Sequence, residues 1–225
     1  MAPYLPRRAD GRTAGGVEVA ASGYEDGMDA ADALLEAKEK ACTCTACDLY
    51  RHASQTVFGE GRVPAPLMLV GEQPGDREDL AGRPFVGPAG GVLDRALDAA
   101  GIDRDDVYVT NAVKHFRFEV VGKRRIHQKP NTTQIVACRQ WLLTELDLVD
   151  PSTVVCLGVT AARAVFGQTV TIGRTRGRKH EVDGRHVMVT VHPSALLRVS
   201  DDAERARAMD AFVADLRLAA RTIAA

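Results

Sequence analysis

Leu67-Met68-Leu69-Val70, followed at once by Gly71-Glu72-Gln73-Pro74-Gly75, is the stretch whose reading decides the fold. Four apolar residues without polar alternation suit a strand buried on both faces, and the abrupt polar turn marks its carboxyl end. The pattern recurs downstream. Val107-Tyr108-Val109-Thr110 stops at Asn111, Thr153-Val154-Val155-Cys156-Leu157 stops at Gly158, and residues 186–191 run into His192-Pro193. Helical patterns separate these runs: residues 90–100 closed by Gly101, a long amphipathic stretch from a cap at Asn131 or Thr132 to about Leu148, residues 160–166, and a last helix capped near Ser200 or Asp201. Strands alternating with helices predict an α/β fold, a three-layer α/β/α sandwich around a central four-stranded parallel sheet.

Upstream of the first strand, residues 29–40 read as a helix of strong formers with acids early and lysines late. Residues 1–28 are rich in Gly, Ala, Arg and Asp without periodicity and read as an irregular N-terminal arm. Residues 29–225 suffice for one domain, the default for a chain of 225, although two small ones would also fit. No apolar run approaches the ~20 residues of a membrane span, and the start, Met1 to Arg8, lacks the apolar core of a secretory signal. The expectation is a cytoplasmic monomer without membrane contact. A formal net charge of −1 argues against a non-specific nucleic-acid coat, while leaving room for a local basic groove.

In parallel sheets covered on both sides, ligands bind beyond the carboxyl ends of the strands. Glu72, Asn111 and His192 each follow a strand directly, so all three should share one rim. Singly, each has a plain structural reading: a helix-start acid, a turn amide, a histidine before proline. Their coincidence favours a site. A second feature is charge. From Lys114 to Lys129 there are six Lys or Arg against one acid, Glu119. Such a run is either a solvated surface loop or a grip on a phosphate backbone, and this one ends in His127. The third is Cys42-Thr43-Cys44-Thr45-Ala46-Cys47, whose C-x-x-C pair is joined far downstream by Cys138 and Cys156. Four thiolates converging from three segments suit zinc or an iron–sulfur cluster, unless Cys138 and Cys156 are buried hydrophobes.

Gly71 to Gly75, residues 82–90 (Gly-Arg-Pro-Phe-Val-Gly-Pro-Ala-Gly), residues 110–114 (Thr-Asn-Ala-Val-Lys) and residues 192–198 (His-Pro-Ser-Ala-Leu-Leu-Arg) resemble, in this order, the uracil-DNA glycosylase superfamily. The likeness is strongest to its iron–sulfur, family-four-like branch. Lys123-Arg124-Arg125-Ile126-His127 is similar to the signature of the UdgX branch, which becomes covalently joined to uracil-containing DNA. The resemblance implies a four-iron, four-sulfur cluster on Cys44, Cys47, Cys138 and Cys156, with Cys42 an extra thiol beside the pair. It implies that Phe85 stacks on a flipped uracil, that the Asn111 amide reads its Watson–Crick edge, and that Gly71 and Gln73 contact the same base. Uracil-containing DNA, single strands accepted, is the implied partner.

The implied chemistry cleaves the bond to uracil, leaving negative charge near O2 and an oxocarbenium-like sugar. His192 is then the donor to the developing oxyanion. The most familiar branch has aspartate where this chain has Gln73, so Glu72 is the motif's one carboxylate, able to orient either water or an imidazole. If His127 reaches the anomeric carbon, it can capture the sugar in place of water, with Glu72 binding its other nitrogen. Lys123, Arg124, Arg125 and Arg198 are expected on DNA phosphates, and Leu197 as a wedge beside them. Two rivals stay open: a conventional turnover glycosylase and a non-catalytic damaged-DNA-binding module.

Overall fold

The computed structural model describes residues 29–223. The arm assigned to residues 1–28 lies outside them. In chain order the elements are α1 (Ala30–Cys42), β1 (Leu67–Gly71), α2 (Asp76–Ala81), α3 (Pro88–Ala100), β2 (Val107–Asn111), β3 (Phe118–Val121), β4 (Arg124–His127), α4 (Thr132–Val149), β5 (Thr153–Leu157), α5 (Val159–Phe166), α6 (Ile172–Thr175), β6 (His180–Val182), β7 (Arg185–Thr190), α7 (Pro193–Leu196) and α8 (Asp202–Arg221).

The central sheet has five strands in the order β2-β1-β5-β7-β6. This corrects the expected four. The four apolar runs are its parallel strands, and the fifth, β6, folds back antiparallel on β7 as a short edge. The basic loop is also not a loop. β3 and β4 form a separate two-stranded hairpin that pairs Phe118 with His127 and Val121 with Arg124, turning at Gly122 where φ is +61°.

β1, β2 and β5 are buried at every position because helices cover both faces of the sheet. Met68, Val70, Tyr108, Val154 and Cys156 share one core with α1, α4 and α5. Leu67, Leu69, Val107, Val109 and Val155 share the other with α3 and α8. Side-chain alternation along each strand thus feeds two cores from a single sheet. α4 begins at Asn131, whose side chain accepts from Gln134 N while Gln134 Oε1 accepts from Asn131 N, both at 2.9 Å. α8 is capped by Asp201, which accepts from Glu204 N at 2.7 Å. Among the described residues no helix is long and apolar enough to cross a membrane.

Strand order reverses between β1 and β5: the chain steps from β1 outward to β2, then returns to the other side of β1. A crevice beyond the carboxyl ends opens at such a switch point.

Candidate functional site

The crevice is a pocket of about 410 Å³. Glu72 and Gln73 line it from the turn after β1, Asn111 from the end of β2, Gly158 and Val159 from the junction of β5 and α5, and His192 from just beyond β7. Phe85, His127 and Arg198 close its sides. Residues that the sequence placed at three strand ends therefore meet in one cavity.

Close backbone approach makes room for two of the pocket's side chains. A Cβ at Gly71 would stand 2.3 Å from Asn111 Oδ1 and 2.8 Å from Phe85 Cζ, so glycine lets the amide and the ring meet over the strand end. Phe85 has φ +57°, a conformation that side chains other than glycine rarely adopt and that concentrates at functional sites. A Cβ at Gly90 would stand 1.6 Å from the Phe85 carbonyl oxygen, so the first turn of α3 admits this loop only as glycine. Glu78, unmarked in the sequence, fastens both pocket loops: its carboxylate accepts from Gly75 N at 3.1 Å and from Gly87 N at 2.6 Å.

His192 stacks beside Phe85 with ring centroids 6.2 Å apart. Its Nδ1 accepts from Ser194 N at 3.2 Å and lies 2.9 Å from Ser194 Oγ. Burial, with the nearby His127 and Arg198, pushes its pKa down to about 4. The ring is neutral at pH 7, and with Nδ1 accepting, Nε2 carries the proton.

His127 ends β4, half exposed at the pocket's edge, and its Nε2 stands 3.4 Å from Glu72 Oε1. The other carboxylate oxygen, Oε2, accepts from the Thr160 hydroxyl at the start of α5. Glu72 is thus held from one side and faces the imidazole with the other.

Two residues expected to meet the ligand are committed elsewhere. The Gln73 amide clasps the base of the hairpin: Nε2 donates to the carbonyls of Arg117 and Gln128 at 3.1 and 3.0 Å, and Oε1 accepts from Arg117 N at 3.1 Å. Its side chain is therefore not free to read a base, although the residue lines the pocket. Arg125 is an internal clamp. It donates to Asp76 at 2.5 Å and to the fully buried Asp79 at 2.6 Å, and its guanidinium lies 5.0 Å from the Phe118 ring centroid. That leaves Lys123 and Arg124 as the exposed cations of the hairpin turn. Beyond the pocket's far side, Leu196 is buried while Leu197 is 48% exposed next to Arg198.

Sequence reading missed a buried ion pair. Lys114 Nζ meets Glu145 in the core, both side chains almost fully enclosed. The ammonium also donates to Thr110 Oγ1 at 2.7 Å and to the Asn111 carbonyl at 2.8 Å, while Glu145 accepts from Tyr108, Thr110 and Gly59. The available signal was Glu145 itself, a carboxylate among the apolar positions of α4.

Away from this pocket, Cys44, Cys47 and Cys138 line one small cavity, with Lys114, His115 and Trp141. Lys114 N donates to Cys138 Sγ at 3.1 Å, and burial pushes the Cys138 thiol up to about 12. Cys156, the fourth thiol of the expected set, is buried on β5 in the same helix-covered core as Cys138, outside the residues that line that cavity. Among the described residues no three His, Cys, Asp or Glu side chains form a grouping suited to a metal ion. What fits a sulfur cluster is the donor set, three thiols around one cavity, and the wall residue Trp141, whose buried Nε1 has no hydrogen-bond partner among the described residues.

Fold and site together define an α/β protein with a pocket at the strand-end rim, flanked by a pinned basic hairpin. The sequence profile of the Uracil DNA glycosylase superfamily matches residues 58–217. The chain is 37% identical over 180 residues to a type-4 uracil-DNA glycosylase of Thermotoga maritima, covering 75% of this chain and 90% of that one. It is 36% identical over 163 residues to the type-4 enzyme of Archaeoglobus fulgidus, covering 69% and 78%. A type-5 uracil-DNA glycosylase of Pyrobaculum aerophilum is 33% identical over 171 residues, covering 66% and 72%. The chain belongs to the uracil-DNA glycosylase superfamily.

Proposed function

We propose that this protein excises uracil from DNA and then stays covalently joined, through His127, to the sugar it has uncovered. The observation that carries the reading is His127 on a clamped hairpin, facing Glu72 at 3.4 Å and opening on the pocket of Asn111, Phe85 and His192. Excision itself is supported by family membership and by relatives named as uracil-DNA glycosylases.

In this mechanism the flipped base stacks on Phe85 and its N3–H and O4 pair with the Asn111 amide. The C1′–N1 bond breaks and its electron pair leaves with uracil, whose O2 accepts a hydrogen bond from His192 Nε2–H. A neutral ring serves as donor here because nothing must be deprotonated as charge develops. The His127 nitrogen not facing Glu72 gives its lone pair to C1′. The resulting imidazolium N-glycoside keeps its remaining N–H toward the Glu72 carboxylate, and the uracil anion takes a proton from water. Release would require an activated water. Gln73 carries no carboxylate and its amide is held by the hairpin, so the adduct persists. Lys123, Arg124 and Arg198 supply phosphate contacts, and Leu197 fills the space the base leaves.

The same reading puts an iron–sulfur cluster of the 4Fe–4S type on Cys44, Cys47, Cys138 and Cys156, where it would tie the loop after α1 to α4 and β5. Anaerobically purified protein carrying zinc without iron would overturn this part.

The decisive experiment mixes the protein with uracil-containing single-stranded DNA and resolves it on a denaturing gel. A band surviving heat and detergent is expected, and His127→Ala should abolish it. Free uracil without that band would favour ordinary turnover, the reading suggested by the type-4 relatives alone. Neither product would leave a binding module.

A further inference from the structure

Trp141 is the chain's single tryptophan, on α4 one turn beyond Cys138. It lines the cavity that Cys44, Cys47 and Cys138 share. Its indole Nε1 is buried and unpartnered among the described residues. An indole N–H removed from water usually finds an acceptor, because a buried donor left unpaired forfeits the hydrogen bond it made to water.

The other polar groups of this wall are already engaged. His115 Nε2 lies 3.0 Å from the Thr56 hydroxyl, which in turn donates to the Ala41 carbonyl at 3.0 Å. Lys114 Nζ is held by Thr110, Asn111 and Glu145. The neighbouring backbone already shows which acceptor the cavity offers: Lys114 N donates to Cys138 Sγ at 3.1 Å. Trp141 Nε1–H is a buried donor with no partner among the described residues, on a side chain that lines the same cavity as three thiols.

We propose that Trp141 Nε1–H donates to a sulfur of the cluster held by these cysteines, and thereby raises its reduction potential and slows its loss. The inference rests on the cluster reading given above. A hydrogen bond to sulfur withdraws electron density and favours the more reduced, more negative cluster. Deleting the donor should therefore lower the midpoint potential. Groups that hydrogen-bond to metal ligands also govern how firmly the metal is kept.

The test begins with iron and sulfide in anaerobically purified protein and in Trp141→Phe, which keeps an aromatic ring and removes the N–H. Iron-free wild type overturns the cluster reading and this inference with it. With iron in both, redox titration followed by visible absorbance should show a lower midpoint potential for the variant, and its absorbance should bleach in air about tenfold faster. An unchanged potential overturns this inference alone. Should the variant fail to hold iron, the unmutated chain decides. Its one indole, labelled with nitrogen-15, gives one N–H resonance, expected to be displaced or broadened in the loaded protein and to return once a chelator strips the iron. A resonance at the same position before and after stripping overturns the proposal.

Discussion

A methyl group at Gly71 would press on two movable things, the Asn111 amide and the Phe85 ring, and on no backbone. Gly71→Ala should therefore leave the urea midpoint of the protein nearly unchanged while uracil release falls. A displacement of about 1 Å at a recognition group is worth roughly 10²-fold in rate. His192 supports two further expectations. Replacing it with alanine removes the proposed oxyanion donor and should slow excision by about 10²- to 10³-fold in single-turnover assays. It also ties stability to pH. Its pKa in the folded chain is about 4, whereas an unfolded histidine titrates near 6.5. Between those values the unfolded chain takes up a proton that the folded chain refuses, so this contribution is whole above about pH 6.5 and is lost as pH falls toward 4. Urea midpoints of wild type relative to His192→Gln should accordingly decline across that window. That Glu72, Asn111 and His192 share one pocket was legible because each stands at the end of an apolar run. The hold of Gln73 on the hairpin was not. Its partners are the backbone groups of Arg117 and Gln128, and nothing in its own neighbourhood announces them.

At the scale of elements, the hairpin is the part of the molecule least written in hydrophobic pattern. The four parallel strands are legible because burial on both faces demands apolar residues throughout. Phe118-Glu119-Val120-Val121 and Arg124-Arg125-Ile126-His127 lie against solvent, with Val120 and Val121 largely exposed, so periodicity carries no signal there. Isolated two-stranded hairpins are marginal in water, and this one is held by contacts made elsewhere. Gln73 clasps its base, and Arg125 ties β4 to Asp76 and Asp79 while lying over Phe116 and Phe118. Arg125→Ala removes the second tie and leaves Asp79 buried without its cation. Pocket and strand ends are untouched, so uracil release should persist, while the fraction of protein captured as a heat-stable adduct should fall about tenfold or more as His127 loses its fixed approach. Adduct and free uracil measured in the same reaction give the ratio. Equal losses of both would mean that Arg125 serves the fold or the DNA grip rather than the aim of His127.

Across the whole molecule, Lys114 stands where three regions touch. Its backbone N–H reaches Cys138 in the cysteine cavity, its ammonium reaches the carbonyl of Asn111 at the pocket, and its charge is matched by Glu145 on α4. One buried cation thus holds the end of β2 against the helix that carries Cys138 and Trp141. Such a pair adds little over a well-packed apolar alternative, but breaking it leaves a buried charge alone. Lys114→Met should cost about 3–5 kcal/mol in urea denaturation, because Glu145 keeps only the neutral donors Tyr108, Thr110 and Gly59. Glu145→Gln should be costly for the converse reason, stranding the ammonium. The double variant Lys114→Met with Glu145→Gln removes both charges and should recover a substantial part of the loss, a coupling that a double-mutant cycle reads directly. Additive losses would show that each side chain acts through its separate hydrogen bonds. If the pair also positions the pocket, the double variant should regain stability without regaining full uracil excision, since the Lys114 ammonium no longer holds the Asn111 carbonyl.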